Sequence, residues 1–231
     1  MLLLAFDTAT PAVTVAVHDG DRVLAQATTV DARRQGELLA SHIEKVLARA
    51  GASPAGLTAI VAGVGPGPYT GLRAGLVTAR VLGAALGVAV HGVCTLDVIA
   101  ADAVAAAAGR PFLVATDARR REVYWARYSP AGERLSGPGV AAPASLPADL
   151  PTAGEGPVAH PSLLGEPIAP RFPSAATLAG LAAARLAAGD GLLPPEPLYL
   201  RRPDARVPGP PKSVLAATGG APRATLEATP G

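Results

Sequence analysis

At 231 residues, 49% of them hydrophobic, the chain is long enough for one large or two small domains with a packed core. A formal charge of +2 and eighteen arginines against two lysines, with no long basic run, leave a nucleic-acid role unsupported without excluding it. The single cysteine, Cys94, excludes a disulfide framework and a multi-cysteine metal site, and fits a reducing compartment.

The first elements read as an antiparallel meander. Leu2 to Phe6 is a continuous apolar strand stopped by Asp7. After the turn Asp7-Thr8-Ala9-Thr10-Pro11 come alternating strands over Ala12 to Val17 and Arg22 to Val30, joined at Asp19-Gly20. Asp7 with Thr8 and Thr10 is a candidate phosphate or metal–phosphate contact, because carboxylates suit Mg²⁺ and hydroxyls suit phosphate oxygens; the competing reading is an Asx or Ser/Thr turn. Arg34 to Ala50 has the period of an amphipathic helix, with Leu38, Leu39, His42, Ile43, Val46 and Leu47 on one side and Gly51 ending it. His42 borders that apolar side, where a packed histidine is the simpler reading than a ligand.

The middle of the chain is its most distinctive stretch. Thr58 to Val64 reads as a strand, Gly65-Pro66-Gly67-Pro68 as a tight loop, and the following segment to Leu86 as a helix ended by Gly87, with Thr70 as candidate N-cap. The loop amides at Gly65 and Gly67 then lie near a helix N-terminus, a second candidate phosphate contact. Apolar and small residues cover almost the whole circumference of this helix, and only Arg73 and Arg80 share a polar stripe, so it is expected to be buried on two sides. Gly71, Gly75, Ala79, Gly83 and Gly87 recur every fourth position, where absent side chains admit another backbone: either the protein's own core or another subunit. Val88 to Val93 completes a βαβ unit, and Thr95 to Ala108 reads as a further helix.

From Phe112 the opening pattern repeats. Phe112 to Thr116 is apolar, Asp117-Ala118-Arg119 is an aspartate turn, and Glu122 to Tyr128 is an alternating strand, which places a boundary near Gly109-Arg110-Pro111. Arg119-Arg120-Arg121 reads as a solvated hairpin tip, with phosphate contact as the alternative. Gly137 to Pro173 is rich in proline and glycine and permits only short strands; Ser174 to Ala188 is an alanine-rich helix capped by Ser174 and Gly189. Six prolines and four glycines among the residues from 203 onward give the composition of a disordered tail.

This order of elements resembles the duplicated α/β fold of actin, sugar kinases and heat-shock chaperone ATPases, and implies three parts: an N-terminal actin-like domain over 1–109, a smaller irregular one over 110–202, and a tail over 203–231. More narrowly, five stretches together are similar to the TsaB family: Phe6-Asp-Thr-Ala-Thr10, Gly65-Pro-Gly-Pro-Tyr-Thr-Gly-Leu-Arg-Ala-Gly75, Gly92-Val-Cys-Thr-Leu96, Asp117-Ala-Arg119 with Glu122-Val-Tyr-Trp125, and Pro197-Leu-Tyr-Leu-Arg201. Two departures stand out: Pro68-Tyr69 where the family usually has Ser-Phe, and Gln35-Gly36-Glu37 where it usually has His-Ser-Glu or His-Gly-Glu.

The resemblance implies a non-catalytic, cytoplasmic subunit of the bacterial machinery that makes threonylcarbamoyladenosine beside the tRNA anticodon. Such a subunit pairs with a catalytic TsaD-type protein, is joined by a TsaE-type ATPase, forms a homodimer when alone and meets tRNA through the complex. It implies no cofactor of its own, ATP or ADP acting only within the complex, and no contact with membrane. It also implies a pairing surface on the two N-terminal helices, comprising Leu38, Leu39, His42, Gly71, Leu72, Arg73, Gly75, Leu76, Ala79, Arg80 and Gly83. An active kinase or transferase of the same fold is the alternative. Against it, His18, His42, His91 and His160 include no pair one helical turn apart, and Ala9 occupies the position where nucleotide-binding members have glycine. A peptidase would need an activated nucleophile, and neither Gly-x-Ser-x-Gly nor His-Glu-x-x-His occurs.

Overall fold

A computed structural model describes residues 1–201; the tail expected over 203–231 lies outside the described residues. Strands β1 (Leu3–Asp7), β2 (Ala12–His18) and β3 (Val23–Val30) form the antiparallel meander. Helix α1 (Gln35–Ala50) leads to β4 (Ala59–Gly63), parallel to β1, and α2 (Tyr69–Leu86) to β5 (Ala89–Val93), parallel to β4. The resulting sheet has the order β3-β2-β1-β4-β5. After α3 (Thr95–Ala103) the pattern restarts: β6 (Phe112–Asp117), β7 (Val123–Tyr128) and β8 (Arg134–Ala141) are antiparallel neighbours, and the short β9 (Thr152–Ala153) runs parallel to β6. The second sheet, β8-β7-β6-β9, thus repeats the first in miniature, as the sequence repeat requires. Helices α4 (Gly156–Ala159) and α5 (Ala175–Ala188) follow.

Because side chains alternate along a strand, the buried first sheet is apolar on both faces. Leu4, Phe6, Ile60 and Ala62 point to one face and pack with Leu39, Ile43 and Val46 of α1 and Leu72, Leu76 and Ala79 of α2. Ala5 and Val61 point to the other and pack with Leu178, Ala179 and Ala182 of α5. Helix α3 lies between the halves: Leu96, Ile99, Ala100 and Ala103 join Phe112, Val114 and Tyr128 of the second sheet, while Val98 belongs to the α5 core. Helix α5 returns to the first sheet, and residues 1–201 form one compact unit.

Other boundaries shift for physical reasons. Helix α2 begins at Tyr69 after Pro68, so Thr70 lies inside the first turn rather than capping it. Helix α3 stops at Ala103, not Ala108, because the chain must turn through Ala108 and Gly109, both at positive φ, to enter β6. Strand β8 runs straight through Gly137-Pro138-Gly139; it is an edge strand with irregular register, so the missing proline N–H breaks no ladder. Helix α5 is preceded by Ser174 as expected, yet the capping bond comes from elsewhere: the Ala175 amide donates to Thr14 Oγ1 at 3.0 Å.

Candidate functional site

The Asp7 turn is closed by the protein itself. Thr95, at the start of α3, donates its hydroxyl to Asp7 Oδ2 (2.7 Å) and accepts from the Gly65 amide (3.1 Å), while the Ala9 amide donates to Asp7 Oδ1 (2.6 Å). Burial pushes the Asp7 carboxyl up from its ordinary value, against the Thr95 hydroxyl and the Ala9 amide, which pull it down. Gly63 leaves just enough room for the carboxylate, since a Cβ there would collide with it. Thr8 spends its hydroxyl on the Gly71 carbonyl (2.7 Å), the Thr10 hydroxyl accepts from the Ala12 amide (3.3 Å), and Gly67 lies against the Ala9 carbonyl. Between this turn and Thr116, Asp117, Arg119 and Glu155 of the second half, about 10 Å³ remains, room for roughly one water. Asp7, Thr8, Thr10, Gly65 and Gly67, expected as phosphate contacts, thus spend polar groups on bonds and contacts within the chain.

The small-residue stripe of α2 faces the same way. Gly71 meets the Gln35 side chain and the Thr8 carbonyl, Gly75 would place a Cβ 2.5 Å from Thr8 Oγ1, Gly83 abuts the Val90 side chain, and Ala79 is 0% exposed. Gln35 ties the arrangement together by donating to the Thr8 (3.2 Å) and Thr10 (2.7 Å) carbonyls, an internal role for the position that departs from the family pattern. Of the expected pairing residues, Leu39, His42, Gly71, Leu72, Gly75, Leu76, Ala79 and Gly83 are buried within the chain. The neighbours at the missing side chains are the chain's own: Thr8 of the β1–β2 turn, Gln35 of α1, and Val88 and Val90 at β5.

What remains on the outside of α2 is a different face. Tyr69, Val77 and Val81 are 52%, 58% and 61% exposed, interleaved with Arg73 and Arg80. Beside them runs a strap formed by residues 193–199, pinned to the first sheet by reciprocal Gly92–Leu193 backbone bonds (2.7 and 3.0 Å) and by the Leu198 amide on the Val64 carbonyl (2.9 Å). Arg73 couples helix and strap: its guanidinium carbon sits 3.5 Å above the Tyr69 ring and its Nε donates to the Tyr199 hydroxyl (2.9 Å), while the two tyrosines stack at 5.3 Å. Arg80 donates to the Pro195 carbonyl (3.1 Å). Between them Arg73, Leu76, Val77, Arg80, Pro195, Pro197 and Tyr199 line a groove of about 260 Å³. Sequence reading found the two arginines and noted Tyr69 and Pro197 to Arg201 within family motifs, but gave no site role to Tyr69, Val77, Val81 or the strap. The available signal was that large apolar residues also occupy the side of α2 away from the glycines.

Cys94 and His42, two groups suited to nucleophilic or acid–base chemistry, face inward. Cys94 is buried, and burial pushes its thiol up to about 11, which suppresses the reactive thiolate. Among the described residues no group of three or more His, Cys, Asp or Glu is arranged to hold a metal ion. His42 bonds Thr29 Oγ1 through Nε2 (2.9 Å), while its buried Nδ1 has no hydrogen-bond partner. Burial first, and Lys45 second, hold its ring below the ordinary histidine value. The unfolded chain then takes up a proton before the folded one does. Stability is expected to be fully present above the unfolded value of about 6.5 and to decline as pH falls through it toward the lower folded value. Urea midpoints between pH 8 and 5 should show this decline, and His42→Gln should remove that part of the slope.

Comparison with known proteins agrees with the fold. Residues 22–188 match the family model described as TsaD, tRNA N6-adenosine threonylcarbamoyltransferase. An uncharacterised protein of Mycobacterium tuberculosis is 46% identical over 207 residues, 88% of this chain and 93% of the relative. The Escherichia coli tRNA threonylcarbamoyladenosine biosynthesis protein TsaB is 34% identical over 128 residues, 55% of each chain. Among solved structures, YeaZ from Pseudomonas aeruginosa superposes with a TM-score of 0.74 at 30% identity, covering 86% of this chain and 99% of its own. With the aspartate turn, the glycine-rich helix and the Pro197–Arg201 strap all in place, the chain belongs to the TsaB (YeaZ) family.

Proposed function

We propose that this chain is the non-catalytic partner subunit of tRNA threonylcarbamoyladenosine synthesis, and that it pairs with a TsaD-type catalytic subunit through the outward face of α2 and the adjoining strap. Family membership carries the coarser statement, a TsaB-type role in this modification. The finer one is supported by a single observation: Tyr69, Val77 and Val81 stand exposed on the outer face of α2, with Val77 lining a groove there beside Arg73 and Arg80. Exposed apolar surface of this kind, rimmed by charge, is the signature of a protein contact. In this reading the chain forms a homodimer when alone and acts in the cytoplasm; no described helix is long and apolar enough to cross a membrane. A TsaE-type ATPase joins the pair and tRNA is modified on the complex, with ATP or ADP handled by the assembly rather than by the closed cleft at Asp7.

Reconstitution tests the proposal. With the TsaD-type and TsaE-type subunits, tRNA and threonylcarbamoyl-AMP, modification is expected to depend on added chain, and the chain alone is expected to transfer nothing. Full modification in its absence, or transfer by the chain by itself, would overturn it.

A further inference from the structure

The outer side of α2 carries a row whose members are alternately four and three residues apart: Thr70, Ala74, Val77, Val81 and Ala84, exposed except for Ala74, which is partly so. This is the spacing of a helix that packs lengthwise on another helix, with Val77 and Val81 as the large side chains at its centre. Arg73 and Arg80 each precede a member of the row by one residue, so both stand on the same edge of it, two turns or about 10.5 Å apart. That edge is the position from which helices packed in this way choose a partner by charge.

Both guanidiniums are anchored beside the row. Arg73 lies over the Tyr69 ring with its Nε on the Tyr199 hydroxyl, and Arg80 has its Nε on the Pro195 carbonyl. Each of these hydrogen bonds uses one of the five N–H donors of a guanidinium. Glu196 of the strap lies 3.9 Å from Arg80, in a pair whose two side chains are 54% and 68% exposed, and such pairs contribute little. Over 69–86 and 193–199 the charged residues are Arg73, Arg80 and Glu196, so helix and strap together carry a positive balance. This balance acts in opposite directions on two occupants. A second copy, seated by a two-fold axis crossing α2 near Val77, brings Arg73 of one copy beside Arg80 of the other and doubles the like charges. A helix with an apolar row and carboxylates on the facing edge instead gives each guanidinium a planar partner.

We propose that Arg73 and Arg80 make this face selective: it takes a helix of the TsaD-type subunit that is apolar along its centre and acidic along one edge, in preference to a second copy of this chain. The proposal rests on the pairing surface proposed above and adds the chemistry that the surface accepts. Its apolar row supplies contact for either occupant, and the arginine edge discriminates between them.

Sedimentation equilibrium of the full chain measures self-association, and calorimetric titration with the TsaD-type subunit measures pairing. Both are run at about 10 mM and about 150 mM salt, over which the screening length falls from about 30 Å to about 8 Å. The Kd for the TsaD-type subunit should rise with salt, whereas the Kd for self-association should fall. Arg80→Glu should weaken pairing with the TsaD-type subunit roughly tenfold and tighten self-association roughly threefold, because it sets a carboxylate toward Arg73 of the other copy. Arg80→Gln, which puts no acid beside Glu196, should move both constants in the same directions by smaller factors, and Arg80→Lys should restore pairing. A substitution that merely disturbs the face weakens both associations. Loss of both in the Glu and Gln variants, or one salt dependence common to both associations, would therefore overturn the proposal. Disruption of pairing by Val77→Arg without any response to the Arg80 variants would overturn charge selection alone. Pairing left intact by Val77→Arg would overturn the pairing surface and this proposal together.

Discussion

Replacing Ala79 by leucine is expected to destabilise the isolated chain by about 1–3 kcal/mol, the usual cost of overpacking a filled core. Ala79 is fully buried among Leu72, Leu76 and the first-sheet residues Phe6 and Ile60 in one core cluster. Helix α2 cannot retreat to admit three more heavy atoms, because Gly75 is fixed against Thr8 and Gly83 against Val90 on either side of the site. For a chain of this size each kcal/mol corresponds to roughly 2–4 °C, so circular dichroism melting should fall by about 2–12 °C. Affinity of the remaining folded fraction for the TsaD-type subunit should be unchanged. A melting curve like that of the unmodified chain combined with lost affinity would return the small-residue stripe to a partner interface.

This orientation was the least legible feature of the sequence, and the reason is physical. Helix α2 is apolar on all sides, so amphipathic periodicity does not say which side meets the sheet. Glycine every fourth residue signals close approach by some backbone, but the same spacing serves a neighbouring strand as well as a second subunit. The meander, the βαβ unit and the repeat at Phe112 were readable because alternation, apolar runs and the left-handed caps at Gly51, Gly87 and Gly189 are local signals. Asp7 was harder, since an aspartate followed by hydroxyls looks alike whether it holds phosphate or closes a turn. Its surroundings are set by Thr95, 88 positions away, and by the space at Gly63. The strap over 193–199 has no periodicity at all; only contacts with Arg73, Gly92 and Val64 make it an element.

The complementary variant, Val77→Arg, should do the reverse of Ala79→Leu. Val77 lies on the open face of α2, on the rim of the groove, one helical turn from both Arg73 and Arg80. In the isolated chain the new guanidinium stays in water, and an exposed helical substitution of this kind shifts stability by no more than about 0.5 kcal/mol. In a complex that covers the groove, the same group removes apolar contact from the centre of the patch and must be desolvated beside two like charges. An interface defect of that type costs roughly 2–4 kcal/mol, which is about thirty- to a thousand-fold in Kd. Titration with the TsaD-type subunit should show that loss, and tRNA modification at limiting chain concentration should fall with it. Val77→Leu, which keeps the face apolar, should pair nearly as well as the unmodified chain. Normal pairing by Val77→Arg would remove the outward face of α2 from the interface and leave the partner to be sought on another surface.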